Sequence, residues 1–348
     1  MTLTRPADEL TEERDTLFAL LGEADEHAAT DFVIRLLDNG VEPERLLLEL
    51  VAPVQVRVGE HWAANRWTVA QEHAATHISE RVVAALSTRT PVRHSRGHVV
   101  VSCMDGEWHA LSARLVAEVL RLRGWRTTFL GASVPASHLV SYLHQEGPDV
   151  VALSCALPVR LPHAHRMIET CQRTGVPVLV GGTGFGPGGR WARTLGVDGW
   201  APGAAAAAEL LEGRWPVGAP PRPALDHLAD DEYPSLLKRR DELVDTAFAA
   251  VLRHVPAAAG YDERQREATE EDLGHLVDFL AAAVYVEDSE LFTGFLDWTA
   301  AILAARKVPP STVLVPLRAC RAALYDFPRA RNHLEAGITR LAVERKDQ

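Results

Sequence analysis

The sequence predicts a multidomain chain in three parts: an N-terminal four-helix bundle over 7–90, an α/β domain with a doubly wound parallel sheet over 97–213, and an all-helical domain over 226–348. Three observations carry this reading. Apolar residues recur at helical spacing up to residue 90. From His98 the period changes to short β-branched runs alternating with helical segments, the pattern of parallel strands joined by crossover helices. From Asp226 onward the signals are helical again.

In order, DTLFALLGEADEHAATDFVIRLLDNG reads as helix with a stop at Asn39-Gly40. EPERLLLELVAPVQVRVGEHWAAN opens a second long helix with Pro43 in its first turn. TVAQEHAATHISERVVAALST follows, with Thr68 as N-cap. The polar run RTPVRHSRG links these helices to the first strand, HVVVSCM. Further strands are WRTTFLGA, DVVALSCAL, VPVLVGG and VDGWAPG, each followed by a helical stretch, the last of them the alanine-rich 204–212. Ligands of such sheets bind beyond the carboxyl ends of the strands. The proline-rich run from Pro216 to Pro223 reads as a stiff linker. After it come YPSLLKRRDELVDTAFAAVLRHV, YDERQREATEEDLGHLVDFLAAAVYV, SELFTGFLDWTAAILAARKV, PPSTVLVPLRACRAALYDF and one more helix in 328–347.

Composition narrows the function classes. The 348 residues are 47% hydrophobic and carry a net charge of −11, enough apolar material for real cores and the wrong sign for a chain-wide nucleic-acid footprint. No apolar run approaches the roughly 18 residues of a membrane helix, and the acidic N-terminus lacks a signal-peptide core. Cys103, Cys155, Cys171 and Cys320 lack metal spacing and read as reduced thiols of a cytoplasmic protein. No nucleophile–base pair or zinc motif stands out, so an enzyme is not expected.

The loop after the first strand holds Glu107, His109 and Ser112 in the pattern acid-x-His-x-x-small. This places an imidazole above the sheet, with a carboxylate to set its tautomer. Ser154 follows Ser112 after 41 intervening residues, and Gly181-Gly182 close the fourth strand. No Lys-Ser/Thr follows the glycines, so a phosphate-binding loop is not indicated. The set resembles the cobalamin-binding motif D-x-H-x-x-G with its later S-x-L and Gly-Gly, departing from it at Glu107, Ser112 and Ala156. The resemblance implies that His109 binds cobalt from below, that Glu107 holds its other ring nitrogen, and that Ser112, Ser133, Ser154, Gly181 and Gly182 line the slot for the nucleotide tail.

Upstream, Trp62 is followed after nine residues by Glu72-His73. This looks like the W-x9-EH signature of cobalamin photoreceptors. The resemblance implies adenosylcobalamin beneath a lid of Trp62, Val69 and Glu72, with His73 able to reach cobalt once light removes the alkyl group. Trp67 is expected to serve packing. Those photoreceptors usually begin with a winged DNA-binding domain. This sequence opens on the bundle, so no DNA binding by this chain alone is expected, and output is expected through a homo-oligomer or a separate effector protein.

Residues 226–348 resemble the C-terminal domain of photocobilins, which is globin-like and binds a bilin. The resemblance implies a non-covalent bilin such as biliverdin. From the residues themselves, an apolar stripe of Leu273, Leu276, Val277, Leu280 and Val284 faces the core. The opposite side carries Glu271, His275, Asp278, Ala282 and Tyr285. A bilin slot needs aromatic walls, cations for propionates and a polar group near the pyrroles. Trp298, Arg264, Arg306, Arg318 and His275 are the candidates; a thioether at Cys320 is not expected. The expected function is a light sensor binding cobalamin and a bilin. The alternatives are a corrinoid methyl-carrier or mutase-type subunit, or a cobalamin sensor without bilin.

Overall fold

A computed structural model describes residues 10–213, 215 and 225–344. The proline-rich linker expected from Pro216 to Pro223 lies outside the described residues. The chain divides into two compact units, one of 1–157 and 163–222, the other of 158–162 and 223–348.

The first unit opens with α1 (Thr11–Gly22) and α2 (Glu26–Asp38). The sequence reads these as one helix. They separate because Ala24 adopts a left-handed φ of 55° and Asp25 caps the second helix by accepting from Ala28 N at 2.9 Å. The next long helix runs as α3 (Pro43–Arg45), a π-helical segment (Leu46–Val51) and α4 (Ala52–Ala63). Pro53 explains the irregularity: it has no N–H for the carbonyl of Glu49, four residues earlier. That carbonyl instead accepts from Arg14 Nε of α1 at 2.6 Å. The fourth helix, α5 (Val69–Arg89), starts at a capping box in which Thr68 and Gln71 satisfy each other's backbone N–H groups.

The sheet has five strands, β1 (His98–Cys103), β2 (Arg126–Gly131), β3 (Val150–Ser154), β4 (Val178–Gly181) and β5 (Gly199–Ala201), in the order β2-β1-β3-β4-β5. All neighbours are parallel. The connecting helices are α6 (Ala110–Leu122), α7 (Ala136–Glu146), α8 (Leu161–Gln172) and α9 (Arg190–Thr194), with α10 (Ala204–Glu212) closing the domain. Strand alternation divides the sheet between two layers. Val99, Val101, Cys103, Val150, Ala152, Leu179 and Ala201 share one core with α6, α10 and the N-terminal helices. The helices before the sheet are therefore packed into the same core as one sheet face.

The second unit holds α11 (Glu232–Lys238), α12 (Arg240–His254), α13 (Glu263–Val286), α14 (Ser289–Ala305), α15 (Leu314–Ala323) and α16 (Pro328–Glu344). The sequence reads α11 and α12 as one helix; they part at Arg239. On the face of α13 opposite the apolar stripe, Ala282 and Tyr285 are buried, while Glu271 and His275 are exposed. Asp278 pairs with Arg240 Nε at 2.7 Å. The three alanines at 281–283 are packed away rather than open to a flat ligand.

Candidate functional site

The site lies at the carboxyl ends of β1, β3 and β4. Cys103, Ser154 and Gly181 are in register there. The chain leaves β1 through Met104, whose N–H donates to Ser154 O at 3.0 Å. Ser133, in the left-handed region at φ 49°, holds the next turn: its Oγ accepts from Gly106 N at 3.1 Å and its N–H donates to Glu107 O at 2.9 Å. So Ser133 shapes the loop that presents His109.

Glu107 is 1% exposed and fully partnered. Its Oε1 accepts from His109 N at 2.9 Å and meets His109 Nδ1 at 2.5 Å. Its Oε2 accepts from Ala156 N at 2.7 Å and Leu157 N at 3.3 Å. One carboxylate thus ties the β1 loop to the end of β3. Burial works to raise its pKa, yet the bonds from the His109 ring and from the His109 and Ala156 backbones outweigh it and hold the carboxyl at about 2. Glu107 is ionised, and the neutral His109 ring carries its proton on Nδ1, leaving the Nε2 lone pair outward. The ring's side chain is 61% exposed. Its pKa is raised, first by the Glu107 hydrogen bond, against burial, and further by the charges of Glu107 and Glu72. Glu72, at the start of α5, therefore lies close enough for its charge to act on His109.

Around Glu72 a second set of groups is ordered. Glu72 Oε2 meets His73 Nδ1 at 2.5 Å, and Thr76 Oγ1 donates to Glu72 Oε1 at 2.8 Å. Behind Thr76, Gln55 Nε2 of α4 donates to Oγ1 at 2.5 Å. The His73 side chain is 74% exposed. Trp62, partly buried, ends α4, and Val69, exposed, begins α5. Trp67 packs instead: its ring stacks on Phe18 at 4.8 Å and lies against Gly22.

On the sheet side, a Cβ at Gly182 would fall 2.2 Å from Cys155 O, and its φ of +103° favours glycine. A Cβ at Gly181 would crowd Ala201 O at 3.1 Å. These glycines let the ends of β3 and β4 close up without side chains filling the space above them. Ser112 is exposed on the first turn of α6. Ser154 is partly buried. Trp108 and Leu157, flanking the Glu107 bonds, are exposed apolar residues, as is Val69. An imidazole with an open Nε2, a fixed carboxylate behind it, and an uncovered apolar rim suit a large flat macrocycle with a metal at its centre. Sequence reasoning missed Thr76, Gln55 and Trp108; a threonine four residues after Glu72 was the available signal for the first.

In the second unit, Phe279 and Phe295 stack at 4.0 Å, and Trp298 lies 6.4 Å from Phe295. The charges of His275 and Arg306 both act on Asp272, so Asp272 lies near each of them. Arg306 is partly buried and Arg264 exposed. Arg318 is elsewhere: it lines a groove of about 820 Å³ between α12 and α15, with Arg253 and His254. Cys320 is buried and its thiol is pushed up to about 12 by burial, which makes it a poor nucleophile.

The family described as B12 binding domain matches residues 97–210, and a second, also described as B12 binding domain, matches residues 13–87. The chain is 33% identical over 178 residues to the HTH-type transcriptional repressor CarH of Myxococcus xanthus, covering 49% of this chain and 57% of that protein. It is 29% identical over 121 residues to the corrinoid protein DSY3155 of Desulfitobacterium hafniense, covering 33% and 55%. It is 23% identical over 184 residues to trimethylamine corrinoid protein 2 of Methanosarcina mazei, covering 51% and 84%. The chain thus spans little more than half the length of the first two relatives. The monomethylamine corrinoid protein of Methanosarcina barkeri shares the fold, with a TM-score of 0.52 at 17% identity over 58% of this chain and 98% of that one. The chain carries B12-binding domains and binds cobalamin through them. No helix among the described residues is long and apolar enough to cross a membrane.

Proposed function

We propose that this chain is a cobalamin-dependent light sensor that holds adenosylcobalamin between His109 and the Trp62–His73 region. The observation that carries the reading is the second carboxylate–imidazole pair, Glu72–His73, on the helix whose Glu72 charge acts on His109. Bound adenosylcobalamin would supply a cobalt–carbon bond that light breaks. The chain's residues do the rest. Glu107 fixes the His109 tautomer and aims Nε2 at the lower face. Trp62 and Val69 cover the upper group, and Glu72 orients His73 to replace it. The slot at Ser112, Ser133, Ser154, Gly181 and Gly182 takes the nucleotide tail, with the Ser133 contribution made through the loop it braces. Such a protein signals rather than catalyses, through a homo-oligomer or an effector.

A second reading, a corrinoid methyl carrier, is favoured by the similarity to the trimethylamine and monomethylamine corrinoid proteins. It requires the upper face to open for methyl transfer, whereas Glu72 is held by Thr76 of α5 and His73 by Glu72. A bilin such as biliverdin is the third element proposed. The face of His275, Phe279, Phe295, Trp298 and Arg306 supports it, and Arg264 lies on the same stripe of α13 three turns earlier. Arg318, in its separate groove, is not part of that set.

Illumination decides between the first two. Adenosylcobalamin-loaded protein should change its absorption irreversibly under green light, and His73→Ala should end at a different spectrum from the parent. Unchanged bands under light, together with methylation of the bound cofactor by a methyltransferase, would establish the carrier reading.

A further inference from the structure

We propose that Gln55 and Thr76 are positioning residues for His73, acting through Glu72; the inference rests on the light-sensor reading of that site. Three consecutive hydrogen bonds link α4 to the exposed imidazole. Gln55 Nε2 donates to Thr76 Oγ1 at 2.5 Å, Thr76 Oγ1 donates to Glu72 Oε1 at 2.8 Å, and Glu72 Oε2 meets His73 Nδ1 at 2.5 Å. A hydroxyl has one proton, so the directions are not interchangeable. Accepting from Gln55 Nε2 uses a lone pair of the Thr76 hydroxyl, which leaves its proton for the carboxylate and holds the rotamer that points it there. The opposite amide orientation would turn the Gln55 oxygen toward Thr76 and draw the hydroxyl proton away from Glu72. The observed orientation leaves Gln55 Oε1 buried with no partner among the described residues. Leaving it unmet costs free energy, and that cost is matched by a chain whose every donor points toward the carboxylate.

The consequence falls on His73. With Oε1 occupied by Thr76, the carboxylate cannot turn freely, and Oε2 is the oxygen left for the ring. Glu72 is an acceptor, so the neutral ring keeps its proton on Nδ1 and leaves the Nε2 lone pair free of it. The His73 side chain is 74% exposed, and among the described residues Glu72 is the group that meets its ring. The same logic holds His109 through Glu107, but there backbone N–H groups immobilise the carboxylate. At Glu72 side chains from two helices do so, which makes the restraint sensitive to the relative position of α4 and α5.

The test uses nitrogen-15 NMR of histidine-labelled full-length protein without cofactor, at about pH 8.5, well above the ordinary imidazole pKa. His73→Gln assigns the signal. The parent should show His73 as the Nδ1–H tautomer. Thr76→Val, which keeps the shape and removes the hydroxyl, should move it toward the Nε2–H form common in exposed histidines. Gln55→Leu should do the same, and Thr76→Ser should restore the parent signal. In adenosylcobalamin-loaded protein, Thr76→Val should slow His73-dependent formation of the light product about tenfold, the scale of one hydrogen bond to a charged group. Identical tautomers in parent and Thr76→Val, or an Nε2–H parent, would overturn the inference. A parent that shows the expected tautomer pattern yet ignores light would leave the positioning intact and overturn the light-sensor reading instead.

Discussion

Glu107 does more than its place in a short motif conveys. It braces His109 and also satisfies two backbone N–H groups at the end of β3. Glu107→Gln keeps the shape and loses the charge, so it should weaken cobalamin affinity by about 10–100-fold while the protein stays folded. Equilibrium titration of the apo-protein with cobalamin checks this; parental affinity would contradict it. A different residue, in the C-terminal helices, contributes to acid sensitivity. His333 is 4% exposed, its Nδ1 bonds Ser289 Oγ at 2.8 Å, and its Nε2 has no partner among the described residues. Burial lowers its pKa from 6.5 to about 4, against the raising influence of Asp288 and Glu287. The unfolded chain therefore takes up this proton first as pH falls. Stability is full above 6.5 and declines toward 4, by about 3 kcal/mol. Thermal melts of His333→Leu should show a shallower loss between those pH values than the parent; parallel curves would refute the assignment. His109, Glu107 and the glycines were legible in the sequence because their spacing is fixed by strand ends. His333 was not, since nothing in a lone histidine tells whether its helix buries it.

At the scale of elements, the alternation of β-branched runs with helices was enough to read all five strands and their crossovers. The breaks at Ala24 and Arg239 were not legible, because each depends on local backbone geometry inside an unbroken helical pattern. The same holds for the π-helical segment before Pro53. Pro53 was visible, but the donor that compensates for it, Arg14, comes from another helix. Arg14→Met should therefore destabilise the first unit by about 1–3 kcal/mol, through the unmet Glu49 carbonyl. It should also disturb Trp62, one helix segment downstream, since π-bulges alter the phase of the residues that follow. Chemical denaturation and the tryptophan emission spectrum report on the two effects; an unaltered midpoint would show the bond to be dispensable. In the second unit the sequence identified the helices but not their faces. Ala282 and Tyr285 are buried, and Arg318 belongs to a groove with α12 rather than to the face of His275.

For the molecule as a whole, the helices before the sheet share a core with one sheet face, so a change at the Trp62 end of α4 is felt by packing rather than by a loose lid. Loss of the contacts made to an adenosyl group would shift that packing only by the difference in contact energy between the two states. A coupling of about 1–3 kcal/mol, usual between sites, suffices to move an association equilibrium. Light and dark scattering profiles of fully loaded protein should accordingly differ, and identical profiles would remove the case for signalling by assembly. The light-sensor reading itself is tested most directly by one absorption experiment. Protein purified from cells that make both cobalamin and biliverdin is recorded in the dark and again after green light, beside His73→Ala. The reading predicts cobalamin bands that change irreversibly on illumination, with a different end point in the variant, and a red band from the bilin. Cobalamin bands that stay the same before and after green light would contradict it.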